Sequence, residues 1–301
     1  MTSQVVEMAE LGLEVRTGTG ILRWRGNRAD EVTLGWRGSY APGDQIVLSC
    51  AAPPQMLAMC LDRGLSESVV LLTDRTFTFM IPFGDERKAY GPRAFAGERH
   101  WGYVRVLDER ERESWRNLAE NSHDLSLPSG SAPVLYPHAV TNVRCDNPQF
   151  LARNAIDGVF ETGRHGSWPH ESWGINDQRD AWLKIEFGRS VIADELRLYL
   201  RTDFPHDTWW RSALLTLSDG QQVTLRLAAT GLRQTFPLGG ARIAWLALSQ
   251  LEKAEEHGFP GLSQIMVMGR ETDPGSWSVR DPRRVEDDQA DTGDTERSDA
   301  K

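Results

Sequence analysis

The 301-residue chain is 40% hydrophobic and 26% charged, with a formal net charge of −9. That balance excludes a disordered or fibrous protein, and no basic patch opposes the negative field, so neither nucleic acid nor an anionic membrane is an expected partner. No apolar run reaches the ~20 residues of a membrane span. At the N-terminus, MTSQVVEMAELGLEV has no basic segment followed by an apolar one, so it does not read as a secretory signal. Cys50, Cys60 and Cys145 are sparse and odd in number, and no pair has metal-site spacing. Free thiols and a cytoplasmic setting are the expectation. Oligomeric state is not fixed, and a homo-oligomer stays open.

From about residue 20 to 107 the chain is a series of short strand-like runs, including EVTLGW, QIVLSC, QMLAMCL and TFTFMI. Gly, Pro and Asp clusters separate them. Cys50 and Cys60 lie in such runs, where a reduced thiol packs as a small apolar residue. The loop IPFGDERKAYGPRAFAGERHW gathers Arg87, Lys88, Tyr90, Arg93 and Arg99, and is given no chemistry. DERERESWRNLAEN (108–121) predicts the one helix, with Trp115 and Leu118 on a docking face. Residues 1–121 are thus expected to form an N-terminal β-sandwich ending in a helix. The Ser- and Pro-rich residues 122–135 read as a linker.

Residues 136–272 form a second run of short strands, in which LRLYLRT and VTLRLAA alternate strictly. Many strands without helices between them point to an antiparallel sandwich with jelly-roll connections. The fold class is therefore all-β: two β-sandwich domains joined by one helix. Residues 273–301 are expected to be a disordered acidic tail, since Asp281–Lys301 holds eight acids against four bases and little to bury.

Five of the eleven tryptophans fall between Trp168 and Trp210, interleaved with His165, His170 and His206 in HGSWPHESWGIND and RTDFPHDTWW. Flat indoles beside short hydrogen-bonding side chains on loops suit a sugar ring, whose C–H face stacks while its hydroxyls find partners. Trp168, Trp173, Trp209 and Trp210 are the candidate stacking surface. His165, His170, Arg201, Asp203, His206 and Asp207 are the candidate polar readers of a mono- or oligosaccharide. Plugging of the sandwich end by these tryptophans is the competing account, as is a rigid corner held by Asp203 and Asp207 against Arg201. The histidines and aspartates lack zinc-site spacing, so a metal there is weakly signalled. A hydrolase or lyase pairing Asp203 or Asp207 with Glu171 is the enzymatic alternative. A protein-interaction module is the third. No nucleophile elbow or phosphate loop is present in the sequence.

ARNAIDGVFETG places Asn154, Asp157 and Gly158 on a tight turn. On its own this reads as an Asx-turn, because one carboxylate is thin ligation for calcium, which takes about 6–8 oxygens.

NAIDGVFET, the Trp-bearing loop and AWLKIEFGRSVIADELRLYLR resemble the discoidin-like domains (coagulation factor V/VIII type C) of the galactose-binding-like superfamily. More narrowly, YAPGDQIVL, IPFGDERKAYGPRAFAGERH, YPHAVTNV, ARNAIDGVF, HGSWPHESWGIN and DFPHDTWW, in that order, resemble bacterial two-domain proteins labelled carbohydrate-binding. The resemblance implies an eight-stranded galactose-binding-like jelly roll for the second half, with ligands on loops at one end. It also implies a structural calcium ion at the turn containing Asn154 and Asp157, and a binding module without catalysis. No other cofactor is expected.

Overall fold

The computed structural model describes residues 10–26, 29–127 and 134–272. Nearly all of the regular structure is β, and every pairing of strands is antiparallel. The first half contains β1 (Leu11–Arg16), β2 (Leu22–Arg25), β3 (Glu31–Arg37), β4 (Gln45–Cys50), β5 (Gln55–Cys60), β6 (Ser68–Leu72), β7 (Thr76–Met80) and β8 (Arg99–Val106). After the short helix α1 (Glu109–Glu113) come β9 (Arg116–Asn117), β10 (Leu135–Tyr136) and β11 (His138–Thr141). The rest of the chain forms β12 (Trp173–Gly174), β13 (Leu183–Leu200), β14 (Trp210–Leu217), β15 (Gln222–Arg226), β16 (Gln234–Lys253) and β17 (Gly261–Glu271).

Two sheets, ordered β2-β1-β4-β7 and β10-β6-β5-β8-β3, face each other in the first half. Alternation explains the face each presents: β3 buries Val32, Leu34 and Trp36 and exposes the residues between them. These side chains meet Leu13, Ile46, Leu48 and Phe79 from the opposite sheet in one apolar core. In the second half a single hydrogen-bonded path runs β12-β17-β13-β16-β14-β15, with β11 on β13 and β9 on β17. The long strand β13 pairs with both β16 and β17, and its register breaks after Glu186 and again after Ala193. Such breaks bend and twist a strand, so one path can wrap around a core. That core is separate from the first and holds Leu183, Ile185, Phe187, Leu196, Leu198, Leu246, Ile265 and Val267. The architecture is two β-sandwiches, the second a jelly roll.

The helix expected over 108–121 is confined to Glu109–Glu113. Asp108 caps it, accepting from the Glu111 N–H, while the Glu111 carboxylate receives the Asp108 N–H. Beyond it the chain prefers a distant partner. Arg116 and Asn117 pair with Gly269 and Met268, and the Leu118 N–H donates to the Val267 carbonyl at 2.7 Å. Leu118 enters the second core, whereas Trp115 stays exposed, its Nε1 on Asp194. Long-range pairing outweighs helix propensity here.

Residues 122–124, expected as the start of a linker, are buried. The Leu61 N–H donates to His123 Nε2 at 3.1 Å, and the Ser122 N–H to Ser68 Oγ at 2.9 Å. Asp124 accepts from the Ala139 N–H and contacts His138 Nδ1 at 2.6 Å. These polar groups fasten the first sandwich to the second. Of the expected linker, residues 128–133 lie outside the described residues, as does the acidic tail from 273. Among the described residues, no helix is long and apolar enough to cross a membrane.

Candidate functional site

The tryptophans of the two loops go three different ways. Trp173, on β12 beside Leu262, is 0% exposed, and Trp210, at the start of β14, is 2% exposed. Their rings pack 5.8 Å apart in the second core. Neither can stack on a ligand, so the sequence expectation is corrected for both: they plug one end of the sandwich. Trp209, adjacent to Trp210 and partly exposed, packs against the edge of the same core. Only Trp168 turns toward the first half. Its backbone N–H donates to the Lys88 carbonyl at 2.7 Å, and its indole lies over Gly91, where an added Cβ would sit 3.5 Å from the ring.

Trp168, 40% exposed, walls a cavity of about 220 Å³ between the two sandwiches. Tyr90 and Gly91 line it from the first half, and Arg153, Asp157 and Glu171 from the second. Arg153 is held by its Nε, which donates to the Asp124 carbonyl at 3.0 Å, and its guanidinium stands 4.4 Å over the Tyr90 ring. A cation on a π-face is thereby fixed at the cavity edge. Glu171 is buried, and apart from the Asp157 carboxyl and its own backbone N–H its carboxylate meets no donor. Asp157 spends one oxygen on the Val159 N–H at 2.9 Å, which is the Asx-turn read from the sequence. Burial pushes the Glu171 carboxyl up to about 7. Asp157 is also pushed up, by burial and then by the charge of Glu171, against the pull of Arg153. The two carboxyls are hydrogen-bonded to each other and hold a proton near neutral pH.

The expected polar readers are tied up to different degrees. Arg201 and Asp207 form a buried two-pronged ion pair with both distances 2.7 Å. Arg201 also donates to Ser172 Oγ at 3.0 Å and to the Phe259 carbonyl at 2.6 Å. All of this serves the corner between loops, so Arg201 is not a ligand reader. His165 Nδ1 is hydrogen-bonded to Asp203, and His206 is exposed beside them. His170 Nδ1 is buried without a partner, 4.0 Å from Glu161. His165, Asp203, His206 and Asp207 thus come together at the rim, apart from the Trp168 cavity.

Asn154 and Asp157 were expected to hold calcium. Asn154 is buried, with its amide nitrogen on the Pro148 carbonyl at 2.9 Å and its Oδ1 unpartnered. The orphaned Asn154 oxygen and the Asp157 carboxylate are oxygen donors only, which in chemistry suits a hard cation.

Tyr90, Arg153 and Glu171 were not among the expected ligand-binding residues. Tyr90 lies in the basic loop that was given no chemistry. Glu171 sits between Trp168 and Trp173 in sequence, and an acid flanked by indoles was the one signal available.

No protein-family model matches the chain, and no curated protein matches it. Among solved structures, the lectin domain of lectinolysin complexed with Lewis B antigen is 13% identical, over 52% of this chain and 98% of that one, with a TM-score of 0.37. A fucose-binding module of Streptococcus pneumoniae, SpX-3, is 15% identical over 50% of this chain and 96% of its own, also with a TM-score of 0.37. An f-lectin from Morone saxatilis serum is 11% identical over 81% of this chain and 86% of its own, again at 0.37.

Proposed function

We propose that the chain is a non-catalytic carbohydrate-binding protein that holds a sugar in the cavity between its two sandwiches. One observation carries this: the half-exposed indole of Trp168 walls a cavity lined on its other side by Arg153 and by the buried, proton-sharing carboxyls of Glu171 and Asp157. A ligand hydroxyl that hydrogen-bonds the lone pairs this carboxyl pair has left gains about 0.5–1.5 kcal/mol. An indole wall beside such acceptors matches the two faces of a sugar ring. The cavity is smaller than the ~300–1,000 Å³ of drug-sized sites, so one ring of a mono- or oligosaccharide is the fitting occupant. Arg153 donates to ring or hydroxyl oxygens, and Glu171 and Asp157 accept.

The calcium ion implied by the resemblance would be held by Asn154 and Asp157. It would supply fixed positive charge against the paired acids. Sugar recognition does not require it in this reading.

A glycan array on the intact protein, with and without a calcium chelator, tests the proposal. Tryptophan emission should shift or quench on binding, and Trp168→Ala should abolish the response while the protein stays folded. A protein that binds no glycan under either condition, or a Trp168→Ala variant that binds as before, would overturn the proposal. A chelator that removes binding would make calcium part of the site. The raised Glu171 carboxyl also favours a second reading, a sugar hydrolase with Glu171 as proton donor. Turnover of a bound glycan that is lost in Glu171→Gln would select it.

A further inference from the structure

A cluster at the rim carries chemistry that the cavity does not use. One ring nitrogen of His165, one of His206 and one carboxylate oxygen of Asp207 lie within 4.8 Å of one another. Among the described residues this is the one group of three or more His, Cys, Asp and Glu ligand atoms so close together. The two imidazoles are neighbours, with ring centroids 4.1 Å apart and planes tilted by 33°.

Three features make the cluster more than a chance approach. First, the Asp203 carboxylate is hydrogen-bonded to Nδ1 of His165, which fixes the ring and leaves Nε2 as its second nitrogen. An outer carboxylate on a histidine is how metal-ligating imidazoles are oriented and made more basic. Second, His206 Nδ1 stands 3.6 Å from Asp207 Oδ1, too far for a good hydrogen bond. Two ligands on one tetrahedral ion with bonds of 2.0–2.1 Å stand about 3.3 Å apart, so a small closure of an exposed loop side chain suffices. Third, Arg201 fixes the Asp207 carboxylate in place: Oδ2 is spent on Arg201 and the Asp203 N–H, whereas Oδ1, the oxygen nearer His206, accepts one Arg201 bond and keeps a second lone pair.

We propose that His165, His206 and Asp207 bind a divalent transition-metal ion, zinc in the first instance, with Asp203 as the positioning residue for His165. Two imidazole nitrogens and one carboxylate oxygen suit zinc, copper or nickel, and not calcium, which takes oxygen alone. The bound ion joins the loop carrying His165 to the loop carrying Asp203–Asp207, and water completes its shell on the exposed side. The site is separate from the Trp168 cavity and stands whether or not a sugar binds there.

The test uses the full chain, stripped with chelator, dialysed, and titrated with zinc in a calorimeter and with cobalt in an absorption cell. One ion per chain is expected, with visible cobalt bands and no thiolate charge-transfer band. His165→Ala and His206→Ala should each weaken zinc by more than about tenfold, and Asp203→Asn by about tenfold with unchanged stoichiometry. Zinc should raise the melting temperature of the wild type and not of His206→Ala, whose side chain is exposed and dispensable for folding. His257→Ala, on another loop, should bind as the wild type does. Equal zinc affinity in the wild type and the His165→Ala/His206→Ala double variant would overturn the proposal. So would a cobalt spectrum with thiolate character, which would point to Cys145.

Discussion

Replacing Glu171 with glutamine removes the charge that the cavity solvates worst. In the folded chain, burial raises this carboxyl from its ordinary 4.5 to about 7. Ionising this carboxyl is therefore disfavoured by on the order of 3 kcal/mol relative to the unfolded chain, a cost that belongs to the Glu171–Asp157 pair rather than to Glu171 alone. Because the folded value lies above the unfolded one, the wild type is relieved of this penalty below about pH 4.5. Its stability falls as the pH rises through about 7, beyond which the full penalty stands. Glutamine has nothing to ionise. Glu171→Gln should thus exceed the wild type by up to about 3 kcal/mol at about pH 8.5, with the gap closing toward about pH 5. Some slope persists in the variant, because Asp157 is raised in the same sense. Urea midpoints taken across this range, with an unchanged m-value, measure the gap directly. A gap independent of pH, or a variant less stable than the wild type at about pH 8.5, would refute the reasoning. The same variant should lose the emission response to glycan, a gain in stability at the expense of binding.

Trp173→Ala should cost about 3–5 kcal/mol in chemical denaturation, since a fully buried indole leaves a cavity beside Trp210. Burial, with the nearby Arg153 charge, holds His123 neutral down to about 3, while the unfolded chain takes up the proton near the ordinary 6.5. The stability that His123 contributes is therefore lost as the pH falls from about 6.5 toward 3, and the gap between wild type and His123→Gln should narrow over that range. Gly269→Ala should disrupt the β13–β17 pairing and lower the yield and melting temperature, because the added Cβ would fall 2.0 Å from the Ile192 carbonyl oxygen. Yield and melting temperature test it.

The strands were legible wherever one face is buried. The alternation in LRLYLRT appears as the alternating burial of β13, and EVTLGW as that of β3. The Asx-turn at Asp157 was equally readable, because its partner is two residues away. What failed was any feature decided by a distant partner. Trp168 and Trp173 share a loop and a composition. One faces the first sandwich across Gly91 and the other sits beneath Leu262, and no local spacing separates those fates. Arg201 and Asp207 were read both as polar readers and as a rigid corner; the corner forms, and the Ser172 hydroxyl and Phe259 carbonyl that complete it lie 29 and 58 residues from Arg201, beyond local reading. The helix over 108–121 failed for the same reason, since Asn117 answers to Met268.

The pairing of β9 with β17 has a consequence for how the molecule can be cut. Arg116 reaches Glu271, whose other partner is Arg189, and Leu118 fills space among the side chains of the later sandwich. Burial alone would raise the Glu271 carboxyl, and the two guanidiniums hold it below its ordinary value. A fragment starting at residue 136 would forfeit a strand, an apolar plug and half of a charge clamp. During synthesis the segment around residue 116 must likewise wait for the last strand to emerge before it can pair.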